Sequence, residues 1–380
     1  MSHSKQKPLV CHFLIDHRIG GPHKYVEVCS RYMENDYESI LFTCGKSKIQ
    51  SVTLLNLRAL NRFLYPIEVL INTIYILLIA CYFRFKNRII IFNIHGVHNL
   101  APILAGLLLR IPSVLLIHES MRELKIFARI SLFFLRHNSG KVLSVSQRGL
   151  NEYGAKQGEV VFSPVDVSYW KKSSCLRAYS FYALQSEKQP LRLVCVGNLN
   201  PIKGLDNLID SLANSVGSIH VNIIGASMQS HFEYFVELKK KSQIAENMNP
   251  LLKINFLGWR ETDEIRSFIY EAHIFVLPSL SEGCPIALIE AMATGCIPFV
   301  TDVGDVRQIL SKTMPEVICD GYDSGSLNLG LSRLLEALYR LSPEEELLLR
   351  EKFSKIATTQ FDIPVVASKI MDTYKLMGGY

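Results

Sequence analysis

The hydrophobic positions of this chain come in short continuous runs rather than in alternating ones. In the first half, these runs cover 10–15, 39–44, 89–96, 113–120, 141–146 and 159–166. Stretches with helical periodicity lie between them, including 24–35 and 100–109. Strands that are apolar on both faces and alternate with helices are typical of a parallel sheet covered on both sides. The pattern therefore predicts an α/β domain.

The same rhythm restarts in the second half after an interruption. The apolar runs there are 191–200, 220–226, 253–259, 273–279 and 297–302, separated by helical stretches such as 204–214 and 261–270. The interruption is rich in Ser, Lys and Tyr and ends at Pro190. A chain of 380 residues also exceeds the size at which one core usually stops growing. We therefore predict a first domain over 1–166, a linker over 167–190 and a second domain over 191–363.

Composition and charge narrow the class of protein. An apolar fraction of 48% and a charged fraction of 20% are those of a globular protein with a large core. The first 165 residues carry a net charge of about +10 and the remainder about −4, within a total of +6. A basic first half suits an anionic membrane or a phosphorylated lipid, or it steers a charged nucleotide, or it has no role. Basic runs with interleaved aromatics are absent from the sequence, which argues against a nucleic-acid partner.

Cysteine usage and the N-terminal sequence predict a cytoplasmic protein. Nine cysteines are scattered without a C-x-x-C pair, which is typical of reduced thiols rather than of a disulfide framework. The apolar run before Asp16 is too short for a secretory signal.

The stretch 69–83 is strongly apolar, contains Asn72 and is followed by Arg84, Lys86 and Arg88. One interpretation is a core-facing helix of the first sheet. Another is a helix that lies peripherally on the inner face of the cell membrane, anchored by those bases. A spanning helix needs roughly 20 apolar residues and is the least favoured interpretation.

The most informative segment is 275–300, in which a strand, a glycine turn, a helix and a second strand follow one another. Glu282 precedes the helix, and Glu290 lies about one turn inside it. Pro285 suits the first turn of a helix, and Gly295 suits the residue just past its end. Free backbone N–H groups at a helix start bind anions, and carboxylates accept hydrogen bonds from hydroxyls. Phosphate together with a polyol is the ligand that such a site suits.

This segment resembles the E-x7-E signature of the retaining glycosyltransferases of family four, also called glycosyl transferases group 1. The resemblance implies the GT-B fold, in which two Rossmann-like parallel-sheet domains face a central cleft. It also implies that the C-terminal helix, about 364–380, crosses back to the first domain. Glu290 would accept hydrogen bonds from the nucleotide ribose, and Glu282 would hold hydroxyls of the donor sugar. The backbone from Gly283 through Cys284 and Pro285 to Ile286 would hold the pyrophosphate or the sugar.

Further residues are assigned to the donor by the same resemblance. The loop 197–204 would face the diphosphate with Lys203 and with Asn198, where the family usually has arginine. An amide still donates a hydrogen bond but brings no charge, so it would stabilise the diphosphate less strongly than arginine. Gly20 and Gly21 match the Gly-Gly loop of the family, in which the backbone approaches a phosphate closely.

Histidines lie at the ends of two predicted strands of the first domain. His118 matches a family histidine that contacts the donor sugar near the reacting carbon. We assign His95, His98 and Glu119, which lie in neighbouring loops, to the acceptor side.

The predicted function is a retaining hexosyl transfer from a UDP-sugar or GDP-sugar to an acceptor hydroxyl. The acceptor is expected to be a glycan or lipid-linked glycan in bacterial capsule, O-antigen or exopolysaccharide biosynthesis. His118, Glu282 and Lys203 are the predicted catalytic residues. The sequence has no Asp-x-Asp motif, so no metal or other cofactor is expected.

Two alternatives stay open at this point. A nucleotide-sugar 2-epimerase uses the same fold, although such enzymes lack the E-x7-E block in this form. A non-catalytic nucleotide-sugar-binding subunit is suggested by Asn198.

Overall fold

The computed structural model consists of two compact units. It describes residues 6–14, 21–45, 50–57, 60, 62–118, 125–137, 140–171, 181, 184, 189–227 and 229–378. The first unit comprises Met1–Pro164 together with Ile363–Tyr380, and the second comprises Val165–Asp362.

The first unit is built on a seven-stranded sheet. Its strands are β1 Leu9–Leu14, β2 Glu38–Thr43, β3 Ser51–Thr53, β4 Ile90–His95, β5 Ser113–Ile117, β6 Lys141–Ser144 and β7 Glu159–Val160. They lie in the order β3-β2-β1-β4-β5-β6-β7, and every pairing between them is parallel. The chain order reverses between β1 and β4. In open parallel sheets, ligands bind beyond the carboxyl ends of the strands at such a switch point.

Helices cover this sheet because its strands are apolar on both faces. They are α1 Gly21–Tyr32, α2 Tyr65–Phe85, α3 Leu100–Leu109, α4 Lys125–Arg136 and α5 Gln147–Tyr153. In the core, the ring of Phe13 stacks on Phe42 and meets Phe92 edge-on, with centroids 4.7 and 4.8 Å apart. All three phenylalanines are buried, so the centre of the sheet is a dry aromatic layer.

The second unit repeats the architecture with six strands. They are β8 Leu191–Val196, β9 Ile219–Ile224, β10 Leu252–Gly258, β11 Ile274–Leu277, β12 Ile297–Thr301 and β13 Ile318–Cys319. The order is β10-β9-β8-β11-β12-β13, again with parallel pairings throughout. The switch point therefore lies between β8 and β11.

Eight helices are described in the second unit, and one further helix ends the described chain. They are α6 Val167–Trp170, α7 Leu205–Ala213, α8 Phe232–Met248, α9 Thr262–Glu271, α10 Ile286–Ala293, α11 Val306–Leu310, α12 Ser324–Tyr339, α13 Pro343–Phe361 and α14 Ile363–Gly378. The last, α14, belongs to the first unit, where the hydroxyl of buried Tyr374 accepts a hydrogen bond from Asn93 over 2.5 Å.

The division between the units differs from the predicted boundaries. The segment 167–190, predicted as a linker, begins with α6, and its described residues belong to the second unit. Trp170, Phe181 and Leu184 are buried there. Apolar side chains spaced irregularly among Ser and Lys gave no periodic signal, although they pack into the second core.

Helix α2 is longer than the apolar stretch 69–83, since it spans 21 residues from Tyr65 to Phe85. Within the described residues it is the helix that is long and apolar enough to cross a membrane, judged by length and composition alone. Only 28% of its apolar window is buried inside the protein. Its packing therefore differs from that of the core-facing helix that the sequence also allowed.

Candidate functional site

The second unit brings Lys203 and Glu282 together at its switch point. Lys203 follows β8 by seven residues, and Glu282 follows β11 by five. The carboxyl ends of these neighbouring strands meet at one edge of the sheet. Lys203 Nζ donates to Glu282 Oε1 over 2.7 Å, and the two side chains are 25% and 13% exposed. The pair is therefore partly open to solvent, where a ligand can reach it.

The backbone of the two loops is in direct contact next to this pair. Leu280 N donates to the carbonyl oxygen of Ile202 over 2.7 Å. Gly204 has a φ of 61°, and a Cβ at this position would lie 2.2 Å from the carbonyl oxygen of Pro278. A residue with a side chain would be strained and would push the loops apart. Glycine at 204 thus permits the approach that aligns Lys203 with Glu282.

Glu282 is oriented by a second side chain on its own loop. Ser279 Oγ donates to Oε1 over 2.7 Å, so this carboxylate oxygen accepts from both the serine and the lysine. The carbonyl oxygen of Ser279 in turn accepts from Thr301 Oγ1 on the neighbouring strand β12. A carboxylate held in this way needs little reorganisation to accept further hydrogen bonds from a polyol.

The helix that follows begins and ends where the sequence predicted. Pro285 caps α10, and Ile286 is its first residue. Gly295 lies just past its end with a φ of 74°, and its N–H donates to the carbonyl oxygen of Met292 over 2.8 Å. Glu290 is the fifth helical residue and is buried, with 7% of its surface exposed.

The other residues that the resemblance assigned to the donor lie in the loops after β8 and β11. Gly283 and Cys284 are half-buried, and Asn198 is exposed beyond the end of β8. A cavity of only about 10 Å³ lies at the ends of β8 and β11, lined in part by Gly197, Lys203 and Ser279. The loops after β8 and β11 therefore bring a cation, a carboxylate and a helix start to the same edge of the sheet.

Three histidines form a hydrogen-bonded chain at the switch point of the first unit. His12 lies inside β1, His95 ends β4 and His118 directly follows β5. His12 is opposite Asn93 in the sheet, so His95, two residues further along, points to the same face. His12 Nδ1 and His95 Nε2 are 3.2 Å apart, and His95 Nδ1 and His118 Nε2 are 2.8 Å apart.

Burial keeps the inner histidines of this chain neutral. His12 and His95 are each 1% exposed. Burial lowers the pKa of His12 to about 3. It also holds the pKa of His95 well below its usual value, and the nearby His118, His12 and His23 act in the same direction. The ring of Tyr25 meets His118 edge-on, with centroids 5.1 Å apart, and closes one side of the cluster.

The burial of His95 changes the role that the sequence suggested for it. Both of its ring nitrogens face other histidines and its surface is covered, so it cannot contact an acceptor directly. His118 is the half-buried end of the chain. His98 is half-buried as well, and its carbonyl oxygen accepts from the Tyr65 hydroxyl over 2.5 Å.

Of the three other predicted site residues in the first unit, the structure describes one. Gly21 is the first residue of α1. Gly20 and Glu119 lie outside the described residues. In the described ranges, no three His, Cys, Asp or Glu side chains are grouped so that they could hold a metal ion.

Two residues of these clusters were missed by the sequence analysis. His12 is a polar residue inside the otherwise apolar run VCHFLI, and that exception was the available signal. Ser279 ends the run HIFVLPS, three residues before Glu282. Its contact with the carboxylate depends on how the loop turns, which the spacing alone does not reveal.

The comparison with known families decides what the second unit is. The family model described as glycosyl transferases group 1 matches residues 180–357. This part of the chain belongs to glycosyl transferases group 1. The group 1 match includes Lys203, Glu282 and Glu290, whereas the histidine chain lies outside it.

Curated relatives match this chain over part of their length. The amylovoran biosynthesis glycosyltransferase AmsK of Erwinia amylovora is 35% identical over 156 residues, which are 38% of this chain and 36% of AmsK. The Escherichia coli UDP-Gal:alpha-D-GlcNAc-diphosphoundecaprenol alpha-1,3-galactosyltransferase is 27% identical over 34% of this chain and 31% of its own length. The chain thus spans about a third of the length of these relatives.

A solved structure matches this chain over nearly its whole length. HepE of Anabaena, in complex with UDP and glucose, is similar with a TM-score of 0.73 at 14% identity. The match covers 96% of this chain and 99% of HepE. The predicted fold class, two parallel-sheet α/β domains of the GT-B type, is confirmed.

Proposed function

We propose that this protein is a retaining glycosyltransferase that moves a hexosyl group from a nucleotide diphosphate sugar to an acceptor hydroxyl. The observation that carries the proposal is the Lys203–Glu282 pair at the switch point of the group 1 unit. A cation suits the diphosphate, and the carboxylate suits sugar hydroxyls. The names of AmsK and of the Escherichia coli galactosyltransferase support the same reaction class.

The chemical step follows from these groups. The bond between the anomeric carbon and the diphosphate oxygen breaks, and its electron pair leaves with the diphosphate. The acceptor oxygen bonds to the same face of that carbon, and its proton passes to the departing phosphate. Lys203 and the backbone amides at the start of α10 stabilise the charge that grows on the diphosphate. In our proposal Glu282 orients the sugar and Glu290 binds the ribose, and no metal is required.

The donor site is tested first by thermal unfolding of the full chain with UDP, GDP and ADP. A ligand that binds the folded state raises the unfolding temperature by mass action. We expect UDP or GDP to give a shift that Glu290→Gln reduces and Glu336→Gln leaves unchanged, since Glu336 is exposed and pairs only with Arg340 among the described charges. Equal shifts in both variants, or none with any nucleotide, would contradict the donor site.

Product analysis separates the transferase from its alternatives. With a cognate sugar nucleotide and acceptor, NMR of the product should show the anomeric configuration of the donor. A changed sugar nucleotide formed without acceptor would identify a 2-epimerase. Donor binding without turnover across many acceptors would identify a non-catalytic subunit.

We further propose that the acceptor is a lipid-linked glycan reached at the cytoplasmic surface of a membrane. Helix α2 carries the support, because it exposes a long apolar stripe, whereas a helix in water presents a polar outer face. The inner face buries the apolar Ile76 and Ala80 as well as the polar Glu68, Asn72 and Thr73. The Asn72 amide exchanges two 3.0 Å hydrogen bonds with the backbone of Leu55. The outer face exposes a stripe at helical spacing, formed by Ile67, Leu70, Ile71, Ile74, Leu78, Tyr82 and Phe85.

Neighbouring features extend this apolar surface. Helix α4 exposes Ile126, Ile130 and Phe133 at helical spacing, and the Phe127 ring meets Tyr65 at the start of α2. Exposed bases lie at the ends and flanks of these helices: Arg84, Lys86, Arg110, Arg129 and Arg136. An exposed apolar stripe with flanking bases is typical of a helix that lies in the interface of an anionic bilayer.

Arg88, which the sequence suggested as a membrane anchor, instead forms contacts within the first unit. Arg88 donates to Glu38 over 2.6 Å and to the carbonyl oxygen of Lys7 over 3.0 Å, and its side chain is only 9% exposed. It therefore serves the fold of the first unit rather than a membrane. The polar contacts of Asn72 and Thr73 also tie α2 to the body of that unit, which favours a helix lying on the surface over one that spans.

Vesicle flotation tests this part of the proposal. The full chain should float with phosphatidylglycerol-rich vesicles and not with phosphatidylcholine alone, and high salt should release it. The double variant Leu70→Glu/Leu78→Glu should lose flotation, while Leu329→Glu, an exposed leucine on α12, should keep it. Failure of the wild type to float at low salt would overturn the proposal, and retention in alkaline carbonate would indicate a span instead.

A further inference from the structure

The loop that carries Glu282 is contacted from both neighbouring strands of the second sheet. β11 lies between β8 and β12, so the loop that follows it has one neighbour on each side. On the β8 side, Lys203 donates a hydrogen bond to the Glu282 carboxylate. On the β12 side, Gly304 lies against the backbone of Glu282 and Gly283. The backbone of the Glu282 loop is therefore confined on the side away from Lys203.

Gly304 permits this contact because it has no side chain. Its φ is 54°, in the left-handed region that favours glycine. A Cβ at this position would lie 2.7 Å from the carbonyl oxygen of Gly283 and 3.2 Å from that of Glu282. The first distance is shorter than any ordinary contact, so a residue with a side chain would displace the loop. Glycine at 304 therefore sets how far the Glu282 backbone lies from the loop after β12.

The loop after β12, residues 302–305, is itself held in place by polar contacts. Arg307 Nε donates to Asp302 Oδ2 over 2.8 Å, and Arg307 Nη2 donates to Asp320. The Tyr322 hydroxyl donates to the carbonyl oxygen of Asp302 over 3.0 Å. Asp320 and Tyr322 directly follow β13, so the contacts tie this loop to the next strand of the sheet. Gly304 is thus presented to the Glu282 loop from a braced segment.

We infer that Gly304 is a positioning residue for Glu282, and that Arg307 and Tyr322 hold Gly304 in place. Gly304 acts through the backbone: it stops the Glu282 loop on the β12 side, while Lys203 holds the carboxylate on the β8 side. The functional part rests on the proposed glycosyl transfer, in which Glu282 orients the donor sugar. There, a misplacement of about 0.5 Å is expected to cost roughly tenfold in rate.

Hydrogen exchange of the full chain tests the contact without any substrate. Gly304→Ala should speed exchange about tenfold in the peptide that covers 280–290, because the added methyl group displaces this loop. Gly217→Ala is the matched control, since it also adds a methyl group at positive φ but meets nothing within 4 Å, and it should leave that peptide unchanged. Equal exchange in the wild type and Gly304→Ala would overturn the inference, whether or not the protein transfers a sugar.

A double-mutant cycle tests whether Gly304 acts through Glu282. Gly304→Ala should lower kcat about tenfold, whereas the same change in a Glu282→Gln background should lower it much less, because the carboxylate that it positions is already gone. Single-turnover transfer with excess enzyme keeps the slow variants measurable. A merely structural role would lower the rate equally in both backgrounds, and strict additivity would therefore overturn the positioning role.

Tyr322→Phe is a second variant that adds no volume and keeps the test decisive if Gly304→Ala fails to fold. It removes the hydroxyl that holds Asp302, so the loop after β12 loses one brace. We expect kcat to fall about threefold in the wild type and to stay unchanged in Glu282→Gln. Equal losses in the two backgrounds would overturn the role of the brace. Absence of transfer by the wild type would overturn the functional part, while the exchange result decides the contact.

Discussion

The two sheets reverse their strand order at equivalent places but present different chemistry there. In the second unit, Lys203 and Glu282 come from loops five to seven residues beyond the strands, are partly exposed and form an ion pair. In the first unit, His12 and His95 come from within the strands and are buried. The histidines inside the strands are covered and neutral, whereas the loop pair forms an ion pair that is partly open to solvent. A charged site suits a diphosphate, whereas a neutral imidazole chain suits a directed hydrogen bond.

The largest effect is expected from removing the charge of Lys203 at the switch point of the second unit. Lys203→Met should lower kcat by roughly 10²–10³, because the departing diphosphate loses its cation in a preorganised site. Initial rates with a saturating donor provide the measurement. Lys241→Met is the matched control, since this lysine pairs with Asp210 over 2.6 Å on the same unit and away from the site. A comparable loss in both variants would contradict the assignment.

The second prediction concerns the close approach of the two loops that carry Lys203 and Glu282. Gly204→Ala places a methyl group against the Pro278 carbonyl oxygen and should destabilise the second unit by about 3 kcal/mol or more. Gly217→Ala also adds a methyl group at positive φ but meets nothing within 4 Å, so about 1–2 kcal/mol is expected. Urea unfolding followed by tryptophan fluorescence reports on this unit, because both tryptophans, Trp170 and Trp259, belong to it. Similar costs at the two glycines would show that the close approach does not matter.

The third prediction tests the neutrality of the buried histidines. The pKa of His12 is about 3 in the folded protein and about 6.5 in the unfolded chain. Between these values the unfolded chain binds the proton, so the free energy of unfolding falls as the pH drops below about 6.5. From pH 7 to pH 5, His12 alone should cost the first unit about 2 kcal/mol, and His95 acts in the same direction.

Hydrogen exchange of peptides that contain β1 and β4 measures this local stability in the full chain, after correction for the intrinsic rate. His12→Phe should remove much of the pH dependence. The second unit should vary less over the same range and serves as the internal control. A first unit that stays equally protected at both pH values would show that its histidines become charged without cost.

The smallest effect is expected at Ser279, which donates a hydrogen bond to Glu282. Ser279→Ala removes one hydrogen bond to Glu282 and should reduce kcat/KM about tenfold. The loss should be smaller in a Lys203→Met background, because both side chains hold the same carboxylate oxygen. A double-mutant cycle on transfer rates measures this coupling. Strict additivity would mean that the serine and the lysine act on Glu282 independently.

The sequence by itself determined the elements and part of the donor loop. Continuous apolar runs predict buried parallel strands because each residue of such a strand faces a covered side of the sheet. Pro285 and Gly295 mark the start and end of α10 through local backbone geometry, which needs no distant partner. Glu282 and Glu290 could therefore be placed around a helix start from their spacing alone.

Only the tertiary structure decided which distant residues meet and which surfaces are covered. Lys203 and Glu282 are 79 residues apart in sequence, and His12 and His95 are 83 apart. Strand order and register bring them together, and neither is encoded in local periodicity. Tertiary structure also decided which side of α2 is covered, because its apolar residues would fit a protein core as well as an exposed surface. Its inward face carries Asn72 beside the apolar Ile76 and Ala80, and the Asn72 amide pairs there with the Leu55 backbone because buried polar groups need such partners.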